Sequence, residues 1–348
     1  MTGQAASSSP SSDVHASSTR TSDSPADVAI IVRTKDRPDI LRRALSSILD
    51  QTFPRWEAVI VNDGGDPRTI ELLVGEHADR AAGRIRIEHH SSPRGRWGAA
   101  NAGVTATTAP LIVLHDDDDS WDPEFLAETS GYLRTHPEEH AVIARTEVIL
   151  EEPRAEGLVE TGRYLLEDHN AEVLLTELLQ FNRFVPISFL YRRELHEHLG
   201  LYDASLPAAG DWAFNLATVA LRPIAYVSDR PLAYWHQRPT VRGVEGNSVH
   251  ANDADHRFAD RSFRDKQLRA YVQASGLGLP LYLTEGARVE ESAASARAEA
   301  IHARLDEVMQ SLRSMHERMD RLEHDLSRTI DTRVRGWVWR QKQRLRRR

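Results

Sequence analysis

The chain has 348 residues, with 44 Lys or Arg against 52 Asp or Glu, a formal net charge of −8, 40% hydrophobic residues and no cysteine. That composition excludes a disulfide scaffold, a thiolate zinc site, an iron–sulfur cluster and a cysteine nucleophile, and it fits a reducing cytoplasm. The acidic balance also argues against wholesale nucleic-acid binding, but it is unevenly spread: residues 333–348 hold eight Lys or Arg and no acid, so the first 332 residues carry 36 bases against 52 acids, a net of −16.

Residues 1–26 contain twelve Ser or Thr and no apolar run. They lack the h-region of a signal peptide and are too polar to offset the entropy of ordering, so a disordered leader is expected. Nowhere does a stretch approach the ~20 apolar residues that span a bilayer, which makes the cytoplasm the expected location.

Order is expected to begin at Val28–Val32, a short β-rich run of the kind buried on both faces of a sheet. A helical pattern follows from Pro38, with Ile40, Leu41, Ala44, Leu45, Ile48 and Leu49 at three-to-four-residue spacing. Trp56–Val61 predicts a second strand, Thr69–His77 a helix, and Arg84–Glu88 and Pro110–Leu114 two further strands. Alternating strands and helices over the first ~120 residues imply a mostly parallel α/β sheet with flanking helices, whose chemistry sits at the carboxyl ends of the strands. Beyond Glu124 the pattern is mixed, with helices expected near 124–135, 171–181 and 211–221 and a short strand at Ile224–Val227.

From about Glu285 the pattern changes. Ala294, Ala298, Ile301, Leu305, Val308, Leu312, Met315, Met319, Leu322 and Leu326 recur in steps of four and three, with charged residues and His filling most other positions. So narrow a seam predicts a coiled coil over 287–331 and a homo-oligomer; a long helix lying on its own domain is the plainer alternative. Trp337 and Trp339 lie in the basic tail 332–348, which suits an anionic membrane surface, with a nucleic-acid tail or a solvated terminus as rivals. A coiled coil would present several copies of the tail and add avidity.

The expected strand ends carry the chemistry. Thr34-Lys-Asp36-Arg37-Pro38 has no glycine, so the GxGxxG of a nicotinamide or flavin enzyme is absent; polar side chains there could contact a base or ribose, or cap the next helix. Asn62-Asp63-Gly-Gly is ordinary turn chemistry, although a carboxylate there can accept the ring N–H of a pyrimidine. Asp116-Asp117-Asp118-Asp119 directly follows an apolar strand, and hard oxygen donors so clustered suit Mg²⁺ or Mn²⁺ bridged to phosphate. Asp122-Pro123-Glu124 reads as the start of a helix. Asp211 opens an apolar helix, as an N-cap or as a general base. His236, among aromatics, is either a packed histidine or a contact to metal or phosphate.

In succession these segments resemble the family 2 glycosyltransferases of GT-A fold, over roughly residues 27–240. VAIIVRTKDRP is similar to the family's first strand and its Thr-x-Asn-Arg segment, with Asp36 in place of Asn. EAVIVNDGG is similar to the second strand with its nucleotide-binding Asp, here Asp63, and LIVLHDDDDSWDP to the Asp-x-Asp segment. Arg94–Gly103 resembles the Ala-Arg-Asn-x-Gly stretch, with Ala100 where Arg is common and Asn101 retained. Gly210-Asp211-Trp212 resembles the acid-Asp-aromatic motif of the catalytic base, with Gly210 in place of the acid.

The resemblance implies a GT-A domain over 27–240, with 241–286 as its C-terminal extension. It implies inverting transfer of a sugar from a nucleotide-diphosphate donor, UDP- or dTDP-linked, to a hydroxyl of a cell-surface glycan or lipid-linked acceptor. Asp211 would be the base. Thr34, Asp36, Arg37, Asp63, Asn101, Asp116 and Asp117 would seat the nucleotide, and Asp116, Asp118 and His236 would hold Mg²⁺ or Mn²⁺. A lipid-linked acceptor would place the protein on the inner face of the plasma membrane, and no nucleic-acid partner is expected. Two rival readings are a nucleotidyltransferase, which should carry a Gly-rich basic loop after the first strand where TKDRPDI stands, and a non-catalytic coiled-coil scaffold.

Overall fold

The computed structural model describes residues 25–346 except 156, 167–170, 207, 242, 244–245 and 248–252; residues 1–24 of the expected leader and 347–348 of the expected tail lie outside the described residues. The chain begins β1 (Val28–Thr34), α1 (Pro38–Leu49), β2 (Trp56–Asp63), α2 (Pro67–Gly75), α3 (Ala78–Ala81), β3 (Ile85–His90), α4 (Gly95–Ala106), β4 (Leu111–Asp116). It continues β5 (Ser120–Trp121), α5 (Phe125–Thr135), β6 (Ala141–Arg154), β7 (Gly157–Leu165), β8 (Glu172–Val173), α6 (Leu175–Leu178), β9 (Phe189–Arg192). The remaining elements are α7 (Glu194–Leu199), α8 (Gly210–Leu221), β10 (Ile224–Gln237), α9 (Asp253–Ser275) and α10 (Gly278–Arg346).

The strands form one sheet in the order β3-β2-β1-β4-β9-β6-β10-β5, with β7 beside β6 and β8 beside β10. β3, β2, β1 and β4 are parallel, as the alternating pattern predicts. The expectation of a mostly parallel sheet fails beyond β4. β9 runs antiparallel to both β4 and β6, β7 pairs antiparallel with β6, and only β10 returns parallel to β6. Only two residues separate β6 from β7, and so short a link can only reverse direction, whereas a parallel neighbour needs a long crossover.

Both faces of β1 are covered. Val28, Ile30 and Val32 pack with Leu41, Ala44, Leu45 and Ile48 of α1, while Ala29 and Ile31 pack with Trp97, Ala100 and Val104 of α4. The alternation follows from the two-residue period of a strand, and burial on both faces explains the unbroken apolar run. Gly103 lets α4 approach the sheet, since a Cβ there would lie 2.2 Å from Ile31 Cγ2.

Two expected elements differ. The 171–181 helix is only α6, Leu175–Leu178, and the 224–227 strand extends to Gln237. Asp229, Arg230 and Pro231 interrupt the apolar pattern of β10, and the β6 ladder is irregular there, which hides the strand's length in the sequence. Residues to Asp265 form one compact unit and those from Lys266 a second. In the second unit α10 is 69 residues, about 100 Å of helix at 1.5 Å per residue. Ile301, Leu305, Leu312, Met315 and Leu322 are exposed along it. Among the described residues no helix is long and apolar enough to cross a membrane.

Candidate active site

The carboxyl ends of β1, β2 and β4 open on a cavity of ≈ 960 Å³. Strand alternation fixes which side chains reach it. Arg33 follows Ala29 and Ile31 onto the α4 side of the sheet, and Asp116 follows Ile112 and Leu114 onto the same side. Arg33 and Asp116 are partners in the parallel ladder, and the Arg33 guanidinium donates to the Asp116 carboxylate. Burial opposes the Asp116 charge, but Arg33, Arg96 and Arg37 outweigh it and hold that carboxyl below its usual range. His115, one residue earlier, faces α1 instead, where burial lowers it to about 4 and it stays neutral at neutral pH.

The acidic run past β4 is a turn with three different fates for its carboxylates. Asp117 accepts two hydrogen bonds from Arg37, and burial pushes it up to about 6 against that opposing charge. Asp118 accepts from Arg238 Nη2 at 2.6 Å, Asn247 Nδ2 at 3.2 Å and Arg37 Nη1 at 3.4 Å, all at Oδ2. Asp119 points away, accepts the His236 backbone N–H at 2.9 Å, and is pushed well up by burial and by Asp118 and Asp116.

Asp211 stands in the first turn of α8 and makes no side-chain cap, so the plain N-cap reading does not hold. Its Oδ2 accepts from Asn182 Nδ2 at 3.1 Å, and Asn182 in turn accepts from Asn215 Nδ2 at 3.0 Å. Burial raises the Asp211 carboxyl, with Arg96 and Arg33 working against the rise.

Of the residues the sequence singles out, Thr34, Asp36, Arg37, Asp63 and the cluster Asp116, Asp117 and Asp118 line the same cavity as Asp211. Neither Thr34 nor Asp36 caps α1, whose N-cap is Arg37. Asp36 adopts φ 54°, a left-handed conformation that Asp and Asn tolerate best among side-chain-bearing residues. That shared tolerance accounts for Asp36 where the pattern has Asn. Asp63 accepts His90 Nδ1–H at 2.7 Å and the backbone N–H groups of Arg94 and Gly95 at 2.8 and 2.9 Å, so it also anchors the start of α4.

Two expected contacts are not among the cavity-lining residues. Asn101 holds the Tyr202 backbone through Nδ2–H to O at 2.9 Å and Oδ1 from N–H at 3.0 Å, fixing the segment that leads to α8. His236 has both ring nitrogens engaged, Nε2 with Ser120 Oγ and Nδ1 with Glu151 Oε1, each at 2.8 Å. The expected role of His236 as a metal ligand therefore gives way to the packed-histidine alternative. Its ring joins β5, β6 and β10 beneath the acidic turn.

The model of the family described as Glycosyl transferase family 2 matches residues 29–200, the stretch that holds β1, β2, β4 and the acidic turn. Residues 29–200 form a glycosyl transferase family 2 region. It is 28% identical over 189 residues to the uncharacterized glycosyltransferase YwdF of Bacillus subtilis, a match covering 54% of this chain and 66% of that one. It is 26% identical over 189 residues to a PGL/p-HBAD biosynthesis glycosyltransferase of Mycobacterium tuberculosis, covering 54% and 68%. Among solved structures, S. aureus TarS 1-349 superposes with a TM-score of 0.47 at 18% identity, over 60% of each chain. The mannosyltransferase PcManGT of Pyrobaculum calidifontis, in complex with GDP-Man and Mn²⁺, superposes with a TM-score of 0.45 at 18% identity, over 77% and 81%.

A family 2 site with a divalent cation would draw on Asp116 and Asp118. Among the described residues no group of three or more His, Cys, Asp or Glu could hold a metal. Two carboxylates fit a cation that completes its shell with diphosphate oxygens and water, which is how Mg²⁺ usually sits on phosphate substrates. The Asp116 side chain, 27% exposed, is the more open of the two.

Family 2 motifs do not flag Arg33, Arg96 or Asn182, yet all three line the cavity. Arg33 could be found from strand alternation alone. Asn182 has no sequence signal, because only the tertiary fold brings it to Asp211.

Proposed function

We propose that the chain is a metal-dependent, inverting glycosyltransferase that moves a sugar from a nucleotide-diphosphate donor, UDP- or dTDP-linked, to a hydroxyl of a cell-surface glycan or lipid-linked acceptor. The observation that carries the reading is that Asp211 and the Asp116–Asp118 pair open on one cavity at the strand ends of a family 2 domain.

In this reading Asp211, steadied by Asn182, accepts the proton of the acceptor hydroxyl as that oxygen attacks the anomeric carbon. Attack comes from the face opposite the diphosphate; the bond from the anomeric carbon to the diphosphate oxygen breaks, and configuration inverts. Asp116 and Asp118 would hold Mg²⁺ or Mn²⁺, which when bound would neutralise charge on the diphosphate. Thr34, Asp36, Arg37, Asp63 and Asp117 seat the nucleoside side of the donor, and Asn101 positions the approach to α8. A coiled coil over 287–331 makes the protein a homo-oligomer, and the basic tail from 332 holds it against an anionic membrane on its cytoplasmic face.

The test is a thermal-shift panel of UDP, dTDP and GDP with and without Mn²⁺, on wild type and Asp118→Asn. Metal-dependent stabilisation by one nucleotide, lost in the variant, is the expected result. A folded wild type indifferent to every nucleotide would overturn the reading.

A further inference from the structure

Two departures from the family pattern meet at one place. Gly210 stands where the acid-Asp-aromatic motif has an acid, and a Cβ there would lie 2.6 Å from Trp97 Nε1 and 2.7 Å from Trp97 Cδ1. Trp97 is 1% exposed, wedged among the core residues of α4, β1 and α8, and it has no room to yield. The indole therefore fills the space a second carboxylate would need beside Asp211. Ala100, where the pattern has Arg, is wholly buried against the same core. Arg96 lies one helical turn before it on α4, and an i, i+4 pair shares a helix face. From that turn Arg96 lines the cavity, and both Asp116 and Asp211 feel its charge.

Arg33 completes the arrangement. Its guanidinium sits 5.0 Å from the Trp97 ring centroid, its side chain is 5% exposed, and it lines the cavity. Nη2 is paired with Asp116, but Nε and Nη1 have no hydrogen-bond partner among the described residues. Buried guanidinium donors left so are costly, and they are satisfied if an anionic oxygen arrives at this end of the cavity. The start of α4 does not offer itself as the anion site, because Asp63 already takes the Arg94 and Gly95 N–H groups.

We propose that Arg33 and Arg96 form an oxyanion-binding subsite between Asp116 and Asp211, built on Trp97 in place of the acid at position 210. This rests on the transferase reading above. Its ligand is an anionic oxygen group at the reacting end of the substrates. Two sources share that chemistry: the donor diphosphate, whose charge grows as it leaves, and a carboxylate on the transferred sugar. In either case the chain's own guanidinium groups supply positive charge where Asp211 would otherwise have a second carboxylate for a neighbour.

The experiment is calorimetric titration, with Mn²⁺ present, of UDP, UMP, UDP-glucose and UDP-glucuronate, and of the dTDP and GDP counterparts of the first two, into wild type, Arg96→Gln and Arg33→Gln. Circular dichroism checks folding. If the diphosphate is the source, the preference for diphosphate over monophosphate falls about tenfold or more in Arg96→Gln, with monophosphate binding unchanged. If a sugar carboxylate is the source, that preference stands and the preference for UDP-glucuronate over UDP-glucose is lost. Wild-type nucleotide binding with neither preference altered in the half-buried Arg96→Gln variant would overturn the subsite alone. Absence of any nucleotide binding by wild type would remove the transferase reading and the subsite with it. Should Arg33→Gln fail to fold, Arg96→Gln alone decides between these outcomes.

Discussion

Arg33 and Asp116 are ladder partners across the parallel β1–β4 pair, and the guanidinium of one donates to the carboxylate of the other on the α4 face of the sheet. Two strand ends adjacent in the sheet thus deliver a cation and an anion to one edge of the cavity. Asp211 faces the same space from α8, where burial disfavours its charge and Arg96 and Arg33 offset only part of that penalty.

That balance sets a pH dependence. Burial raises the Asp211 carboxyl above the ordinary aspartate value of 3.8, opposed by Arg96 on α4 and Arg33 on β1 and aided by Asp116 on β4. A base works only when deprotonated, so kcat/KM falls as pH drops through that raised value. The acid limb should lie above pH 3.8 in wild type. It should move further up in Arg96→Gln, because removing a positive charge disfavours the carboxylate. A limb that moves down in that variant would contradict the account.

Gly210 is held by sterics. Gly210→Ala places a Cβ against the buried Trp97 indole, and overpacking of this kind costs about 1–3 kcal/mol. Urea denaturation should show the loss, and Trp97→Phe, which removes the pyrrole edge, should recover part of it in the double variant. Equal costs with Trp or Phe at position 97 would show that the contact is not the cause.

Glu151 ties the acidic turn down from below. It accepts from His236 Nδ1 and from Arg43, lies 3.4 Å from Arg238 Nη1, and is held at about 2 although burial alone would raise it. A carboxyl with a depressed folded value contributes stability above its ordinary 4.5, and that contribution is lost as pH falls toward 2. Glu151→Gln takes the carboxylate partner from Arg43, while Arg238 keeps Asp118, and should cost about 3–5 kcal/mol at neutral pH. The gap between variant and wild type should narrow on acidification between those two values. A gap independent of pH would contradict the assignment.

Much of this was legible in the sequence, for identifiable reasons. β1, β2 and β4 announce themselves because both their faces are buried, and the side chains at their ends fall at the cavity because parallel strands share one carboxyl edge. Asp63, Asp116 and Asp118 are found this way, whereas Asp211 stands out as an acid that opens an apolar helix. His236 was not, because residue type cannot say that Ser120 and Glu151 saturate both ring nitrogens. Asn101 looks like a ligand-facing amide in sequence, yet the backbone of Tyr202 takes it. Asn182 reaches Asp211 from 29 residues away through tertiary packing alone. β9 runs antiparallel to both β4 and β6, and strand propensity does not record a strand's direction.

The C-terminal helix yields its own prediction. If the heptad seam associates, Leu305→Asp with Leu312→Asp should convert an oligomer to a monomer in light scattering, with the melting of the catalytic unit unchanged. Deleting 333–348 should reduce co-sedimentation with phosphatidylserine-containing vesicles. A monomeric wild type would remove the coiled coil, and unchanged vesicle binding would remove the tail's role.

The central claim is that Asp211 is the base of a nucleotide-sugar transferase, and turnover in Asp211→Asn tests it most directly. The amide keeps the shape and the Asn182 neighbour but cannot take a proton. With the nucleotide that binds wild type, Mn²⁺ and an acceptor, kcat should fall about 10²–10⁴-fold while affinity for that nucleotide is kept. Transfer at the wild-type rate by the folded variant would contradict the account.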